Sequence, residues 1–361
     1  MRSLRVALVT ETFYPAVDAA TTSLRATLDR LVDLGHTVLV VAPGPGLADH
    51  RGARVHRVST LDGVGAQVRG ALEAFGPDVV HVSSPGRLGR KALKHARAAG
   101  VPSLVVEHSP LLDTSPDYWR RKVVRRADRV VVTSTWMRER LLELDVDAPV
   151  WTPGVDPVAF TPALRDDWLH RTWSRHRSAQ GPGVVVGYVG ALHRRRGVRH
   201  LDVLAGLPGV RPVVVGEGPE RAWLEARLPG STFLGALQTG DLSVALPSLD
   251  VLVHPGEHQT CAHVLREAGA SGVPVVAARA GGAVEVVRHG ETGLLHHPGS
   301  RHDLARRVSR LVADPGRARL GERAREVLAG RTWTAAVDEL LEDHLAPLAA
   351  RRHDASAPGR R

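Results

Sequence analysis

One pattern recurs along this chain and leaves few folds open to it: a short apolar run, a turn of small or polar residues, then a helical stretch. Leu4 to Thr10 is such a run, and Thr21 to Leu34 follows with Leu24, Leu28 and Leu31 at helical spacing. Gly35 then precedes a second run, Thr37 to Ala42, so the opening reads as strand, helix, C-terminal glycine, strand. Parallel strands joined this way form a right-handed βαβ unit. The pattern repeats at Asp78–Ser83, Leu104–Glu107 and Arg129–Thr133, with helical stretches near 86–99 and 135–144. It lapses into Pro, Gly, Asp, Trp and Arg between Trp151 and Pro182, the natural place for a linker. It resumes with Val184–Val189, a helix from about Val198, and runs at Arg211–Val215, Val251–His254 and Val273–Ala277, before charged helices from Arg301 to about Leu348. Two successive α/β units with largely parallel sheets imply two lobes with a cleft between them.

Composition excludes several classes. The 361 residues, 43% of them hydrophobic, suffice for two domains with cores of their own. No apolar run approaches the ~18 residues of a membrane span, and Val6–Val9 is cut short by Thr10 and Glu11, so the start reads as a strand rather than a signal peptide and the expected location is the cytoplasm. The lone cysteine, Cys261, has no partner for an internal disulfide, in keeping with a reducing compartment. The formal charge of +10 is thinly spread: 21 basic and 17 acidic residues in 1–160, 23 and 20 in 161–350, four and one in 351–361. That distribution argues against a nucleic-acid partner.

In open parallel sheets, ligands bind beyond the carboxyl ends of the strands. Four glycine-bearing stretches fall there in the second half: GALHRRRG (190–197), GEGPER (216–221), HPGEHQTCAHVLREAG (254–269) and ARAGGAVEVV (278–287). Glycine turns opening onto helix N-termini present free N–H groups to an anion, and Arg194, Arg195 and Arg196 add full charges, so a phosphate or diphosphate is the expected ligand. One such loop alone would often serve only backbone geometry. Several converging on one edge favour the ligand reading. Glu267, which on an ordinary helix surface would simply be solvated, sits in the small, apolar run VLREAGASG.

The ordered residues His254, Gly256, His258, Thr260, Glu267, Ala268, Ser271, Gly272, Pro274, Val275, Val276, Gly281, Gly282 and Glu285 resemble retaining glycosyltransferases of family 4. The chain is most similar to bacterial GDP-mannose-dependent α-mannosyltransferases. Similarity extends through YVGAL, VVVGEGPER and PSLDVLVHPGE, and in the first half through VALVTETFYPAVDAATTSLRATLDRLVDLGHTVLVVAPG, PDVVHVSSPGRLG, ADRVVVTST and PGVDPVAFTP, over roughly residues 4–345. The resemblance implies an α/β GT-B fold, two Rossmann-like doubly wound lobes facing a central cleft. Its expected parts are an acceptor-binding lobe over 1–160, a linker at 161–182, a nucleotide-sugar lobe over 183–332, a helix over 333–350 returning to the first lobe, and a disordered tail, 351–361.

It also implies chemistry: metal-independent transfer of a hexosyl group, mannosyl from GDP-mannose, with retention, the departing phosphate helping to deprotonate the acceptor hydroxyl. No cofactor is implied beyond the donor substrate, and the acceptor is unknown. The family's two glutamates eight apart fall on Gln259 and Glu267, the first near the sugar and leaving phosphate, the second on the ribose. Its diphosphate-gripping Arg and Lys fall on Ala191 and Arg196, its N-lobe histidine beside the sugar on His108, and its glycine loop on Asp18, Ala19 and Ala20. Gly281, Gly282 and Glu285 keep the Gly-Gly-x-x-Glu turn, and Gly190, Glu217, Gly218, Thr260 and Cys261 complete the donor set. His108, Gln259 and Arg196 are the expected catalytic residues.

Three departures fall on this site. A guanidinium lost at 191 removes a charge-assisted bond of roughly 1.5–3 kcal/mol unless Arg194 or Arg195 replaces it. Glutamine at 259 keeps hydrogen bonding but not charge, Glu257 could substitute only in a shifted loop, and alanine at 19 narrows backbone approach. They leave open a weakened or non-catalytic sugar-nucleotide binder. Nucleotide-sugar 2-epimerases share the fold, but their acidic and His groups are missing.

Other motifs carry less. Asp145-Val146-Asp147 imitates a metal-binding Asp-x-Asp but follows a helix rather than a strand, and His254, His258 and His263 lack a firm fourth zinc ligand. Arg87, Arg90, Lys91 and Lys94 recur at helical spacing opposite Leu88, Ala92, Leu93 and Ala96, and RRKVVRRADR (120–129) follows Trp119. Such surfaces suit either solvent or an anionic membrane, the latter implying a peripheral position on the inner face of the plasma membrane.

Overall fold

The computed structural model describes residues 3–15, 19–111, 115–175 and 183–356. The chain forms two compact units, Met1–Pro153 with Trp333–Arg361, and Gly154–Thr332.

The first unit holds β1 (Arg5–Thr10), β2 (Thr37–Pro43), β3 (Asp49–His50), β4 (Ala53–Val58), β5 (Val79–Ser83), β6 (Ser103–Glu107) and β7 (Arg129–Val132). Their order is β3-β4-β2-β1-β5-β6-β7, parallel except for β3 against β4. Alternation along β1 shows why the apolar run is continuous. Val6 and Leu8 enter one core and Ala7 and Val9 the other, so both faces of the sheet are covered. The second unit holds β8 (Val184–Val189), β9 (Val210–Val215), β10 (Thr232–Gly235), β11 (Val251–His254), β12 (Val275–Ala278) and β13 (Gly293–His296). Their order is β10-β9-β8-β11-β12-β13, parallel throughout. Leaving the small β3 aside, both sheets follow the doubly wound order 3-2-1-4-5-6, and the order reverses between β1 and β5 in one and between β8 and β11 in the other.

The last helices belong to the first unit. Ala336, Leu340, Leu341, Leu345 and Leu348 join Leu24, Leu28 and Leu31 in one core. Trp151 Nε1 donates to Ala336 O at 2.7 Å, and Arg30 grips Asp338 through both carboxylate oxygens at 2.7 and 2.8 Å. The helix Ala346–Ser356 runs into the stretch expected to be a disordered tail; 357–361 lie outside the described residues.

The units divide at 153/154 rather than near 160, because Val155 bridges to Thr332 and Phe160 is buried in the second core. The stretch 161–182 is not a bare linker: Asp166 caps the helix Asp167–Ser174, whose Trp173 enters that same core, while 176–182 lie outside the described residues. From Val198 the expected helix is a 3-10 helix to Gly206. The sequence reading missed the helix Val64–Phe75 and strands β3, β4, β10 and β13, which are short or lack a continuous apolar run.

Candidate functional site

At the carboxyl edge of the second sheet, the four loops form one packed layer. The β8 and β9 loops interlock: Gly190 N donates to Val215 O at 3.0 Å, Leu192 N to Glu217 O at 2.8 Å, and Glu220 N to Leu192 O at 3.0 Å. At Gly216, φ is +138° and a Cβ would lie 1.9 Å from Gly190 O, so only glycine lets the loops meet. The β11 and β12 loops interlock likewise, Gly282 N donating to Gln259 O at 2.7 Å. A Cβ on Gly281, at φ +57°, would stand 2.7 Å from the carbonyl oxygens of both Glu257 and Gln259. The glycine signature thus builds a continuous layer across the switch point between β8 and β11.

On that layer Arg194, Arg195 and Arg196 form an exposed 3-10 turn, pinned where His193 Nδ1 accepts from Arg195 N at 3.3 Å. Ala191, where the family's arginine would stand, is exposed beside this turn. Glu217 is exposed and paired with Arg221, so its carboxylate is already matched. Gly218 packs on Leu192 O.

Gln259, Thr260 and Cys261 are buried. Gln259 Nε2 lies 2.9 Å from Nδ1 of His254, which is itself 3% exposed and receives Gly256 N–H at 3.3 Å. Burial, reinforced by the Arg196 charge, pushes the His254 imidazole down to about 3. It is therefore neutral at physiological pH. Tyr188 packs 5.6 Å from the same ring, donates to Ala191 O at 3.1 Å, and has its phenol pushed up by burial.

Glu267 is half-buried on the helix His263–Ala270, whose preceding residue, Ala262, adopts φ +51°. Beside it Arg266 is buried, its Nε donating to Cys261 O at 3.3 Å, so a guanidinium braces the loop from behind. Glu285 lies exposed in the turn Ala283–Val286. Glu257 is half-buried; a Cβ on Gly299 would lie 3.9 Å from its Oε1, so it points toward the β13 exit rather than replacing a carboxylate at 259.

In the first unit His108 follows β6, buried, its N–H donating to Ser84 Oγ at 3.2 Å. Its neighbour Glu107, overlooked in the sequence because it reads as the last strand residue, is 1% exposed and accepts Ser109 N–H at 2.8 Å. Burial pushes this carboxyl up to about 7, against the pull of the N–H donors around it. Asp18 lies outside the described residues, and Ala19 is described only as the first backbone position of the helix Ala19–Asp33.

The discounted motifs have ordinary partners. Asp145 pairs with Arg120 at 2.6 Å and Asp147 with Arg138 at 2.8 Å. Among the described residues no group of three or more His, Cys, Asp or Glu could hold a metal ion. The two basic segments read separately in the sequence form one patch: Arg90 lies over the Tyr118 ring at 5.4 Å, Lys122 at 6.0 Å, and Arg126 donates to Arg90 O at 3.3 Å. Lys91 and Lys94 are exposed on the same helix as Arg90, while Arg87 is tied to Thr60 O at 2.6 Å. No helix among the described residues is long and apolar enough to cross a membrane.

Two doubly wound sheets and this glycine-built layer define a glycosyltransferase of the GT-B fold. The chain belongs to glycosyltransferase family 4: residues 20–158 match the model described as Glycosyltransferase Family 4, and 183–314 that of Glycosyl transferases group 1. It is 38% identical to the GDP-mannose-dependent alpha-mannosyltransferase of Mycolicibacterium smegmatis, covering 96% of this chain and 99% of that protein. It is 37% identical to the one from Mycobacterium tuberculosis, covering 94% and 96%. The crystal structure of Anabaena HepE with UDP and glucose superposes with a TM-score of 0.80 over 95% of this chain and 100% of that one, and at 20% identity speaks for the fold alone.

Proposed function

We propose that the protein transfers a mannosyl group from GDP-mannose to an acceptor hydroxyl, with retention and without a metal ion. The observation that supports this most strongly is the near full-length similarity to GDP-mannose-dependent alpha-mannosyltransferases, on a chain whose four loops make the layer described above. In this reading Arg196 stabilises charge growing on the departing phosphate. Arg194 or Arg195 stands in for the arginine absent at 191. Glu267 holds the ribose, Gln259 meets a sugar hydroxyl, and His108 orients the sugar.

The test is a thermal-shift and hydrolysis screen against GDP-mannose, UDP-glucose, UDP-N-acetylglucosamine and their free diphosphates, with and without divalent cation. Stabilisation by GDP-mannose with slow, cation-independent GDP release is the expected result. Preference for another donor would overturn the sugar and base, and binding without release would favour a non-catalytic sugar-nucleotide binder.

The joined basic and aromatic patch around Tyr118 supports a second element of the proposal, peripheral attachment to anionic membrane from the cytoplasmic side. Binding to vesicles containing phosphatidylglycerol should fall with salt and with joint neutralisation of Arg90, Lys91 and Lys94. Equal binding to neutral vesicles would refute it.

A further inference from the structure

We propose that the cavity between the helices Val64–Phe75 and Arg87–Ala98 is a second ligand site, which takes a single-chain amphiphile with its alkyl body on Leu72, Val80 and Val101 and its carboxylate or phosphate head at Arg69 and His95. The site lies wholly within the first unit and is independent of the transfer reaction proposed above.

Its position sets it apart from the loops where transfer takes place. Val80 is the second residue of β5 and Val101 stands just before β6, at the amino ends of strands whose carboxyl ends lead into Ser84 and His108. From Val101 to His108 an extended chain covers roughly 20 Å, so the cavity is at the far edge of the sheet from the β6 exit.

The cavity measures about 460 Å³, within the range of small-molecule sites, and its lining divides by polarity. Leu72, Val80 and Val101 are buried and aliphatic, and no aromatic side chain lines the cavity among the described residues. That surface suits an alkyl chain better than a stacked ring. Arg69, Glu73, His95 and Arg352 supply the polar side. Arg69 is exposed and meets Glu73 only at 3.9 Å. His95 is half-buried, and among the described residues neither ring nitrogen has a hydrogen-bond partner. Burial first, then the charges of Lys94, Arg69 and Lys91, hold this imidazole below its ordinary range, with Glu73 the one acid acting against them. At pH 7 the ring is therefore neutral, with one N–H to donate.

Two helix C-termini lie at this cavity, and unmatched carbonyls there would repel an anion. Those carbonyls are matched. Gly76 N–H donates to Leu72 O at 2.8 Å, Val101 N–H to Ala96 O at 2.9 Å and Arg5 Nε to Phe75 O at 3.1 Å. Arg352, from the helix Ala346–Ser356, donates to Pro77 O, which makes the last helix part of the wall. The remaining side-chain charge is cationic: Arg69 and Arg352, with Lys91 and Lys94 close by, against Glu73 alone. An anionic head complements that charge, and an alkyl body removes the aliphatic floor from water.

The test is titration calorimetry of the full chain with dodecanoate, dodecyl phosphate and lysophosphatidylglycerol below their micellar ranges, and with dodecanol and inorganic phosphate as the two halves of the ligand. One anionic amphiphile should bind per chain, and dodecanol and phosphate each about tenfold more weakly or worse, the scale of one charge-assisted bond or a few buried methylenes. Binding of dodecanoate or dodecyl phosphate would identify a soluble ligand, and binding of lysophosphatidylglycerol alone a lipid drawn from a membrane. Ala98→Trp, which puts an indole into the cavity from the exposed end of its helix, should abolish binding and leave Tm unchanged. Arg69→Gln combined with His95→Leu should weaken the anionic amphiphiles about tenfold or more and leave dodecanol within about twofold. Phosphate binding as tightly as dodecyl phosphate, dodecanol as tightly as dodecanoate, or undiminished binding in Ala98→Trp would each overturn the proposal. So would displacement by GDP, which would place the anion at the donor edge, or failure of all three anionic amphiphiles to bind.

Discussion

Replacing Glu107 by glutamine isolates the charge held at the end of β6, one residue before His108. The carboxyl is 1% exposed, and burial raises it from 4.5 to about 7. Fully expressed, such a rise corresponds to about 3 kcal/mol. The folded-state value lies above the unfolded one, so the native chain binds the extra proton between them. Stability from this group is therefore present below pH 4.5 and lost as pH rises through 7. The cost is about 1 kcal/mol at pH 5 and about 3 kcal/mol at pH 8, order-of-magnitude figures from the same relation. Glutamine keeps an oxygen for Ser109 N–H, now 2.8 Å from Oε1, and removes the charge. The Glu107→Gln protein should exceed wild type by about 1 kcal/mol at pH 5 and by about 3 kcal/mol at pH 8, a double difference of about 2 kcal/mol. In thermal melts that is roughly 5–10 °C for a unit of this size. Denaturant melts of both proteins at pH 5 and pH 8 give the double difference, in which every other titrating group cancels. Parallel losses in the two proteins would show that Glu107 is not a buried acid titrating near neutrality, and the account of the β6 exit would fall with it.

Three further outcomes follow from named contacts. His81 is fully buried with neither ring nitrogen partnered, and burial lowers it from 6.5 to about 4. Its folded value lies below the unfolded one, so stability is lost as pH falls from 6.5 toward 4; by pH 5 His81→Leu should escape about 2 kcal/mol of loss that wild type suffers, and equal acid sensitivity in chemical melts would be inconsistent with this. Gly216→Ala drives a Cβ into Gly190 O, so it should cost about 2–5 kcal/mol and weaken GDP binding in calorimetry; unchanged binding and Tm would mean the β8 and β9 loops are free to separate. Trp151→Phe removes the bond to Ala336 O, and proteolysis should then release the segment from Trp333 onward faster than in wild type, an equal rate counting against that bond as its anchor.

The sequence could disclose the sheets because their signals are local. A buried parallel strand must be apolar on both faces, so Val184–Val189 and Leu104–Glu107 announce themselves, and βα turns require glycine wherever backbones approach. β10 and β13 escaped because each has only two consecutive large apolar residues, Phe233-Leu234 and Leu294-Leu295, and the division at Pro153 escaped because Val155 is claimed by Thr332, 177 residues onward. No local pattern encodes that pairing. The same distinction runs through the site. Gly190, Arg194–Arg196, Gly218, Glu267, Gly281 and Gly282 were legible as types of residue in types of turn.

What the chain by itself determined is the repeated strand–turn–helix order, the family, and the stock of glycines and arginines for an anion-binding edge, since these follow from backbone sterics and hydrophobic periodicity. What only the tertiary structure decided is the state of each polar group. It turned Glu257 away, joined two basic segments around Tyr118, and buried a neutral His254 against Gln259. Proton affinity and amide orientation depend on burial and on neighbours brought together by folding, and those distances are not written in residue spacing.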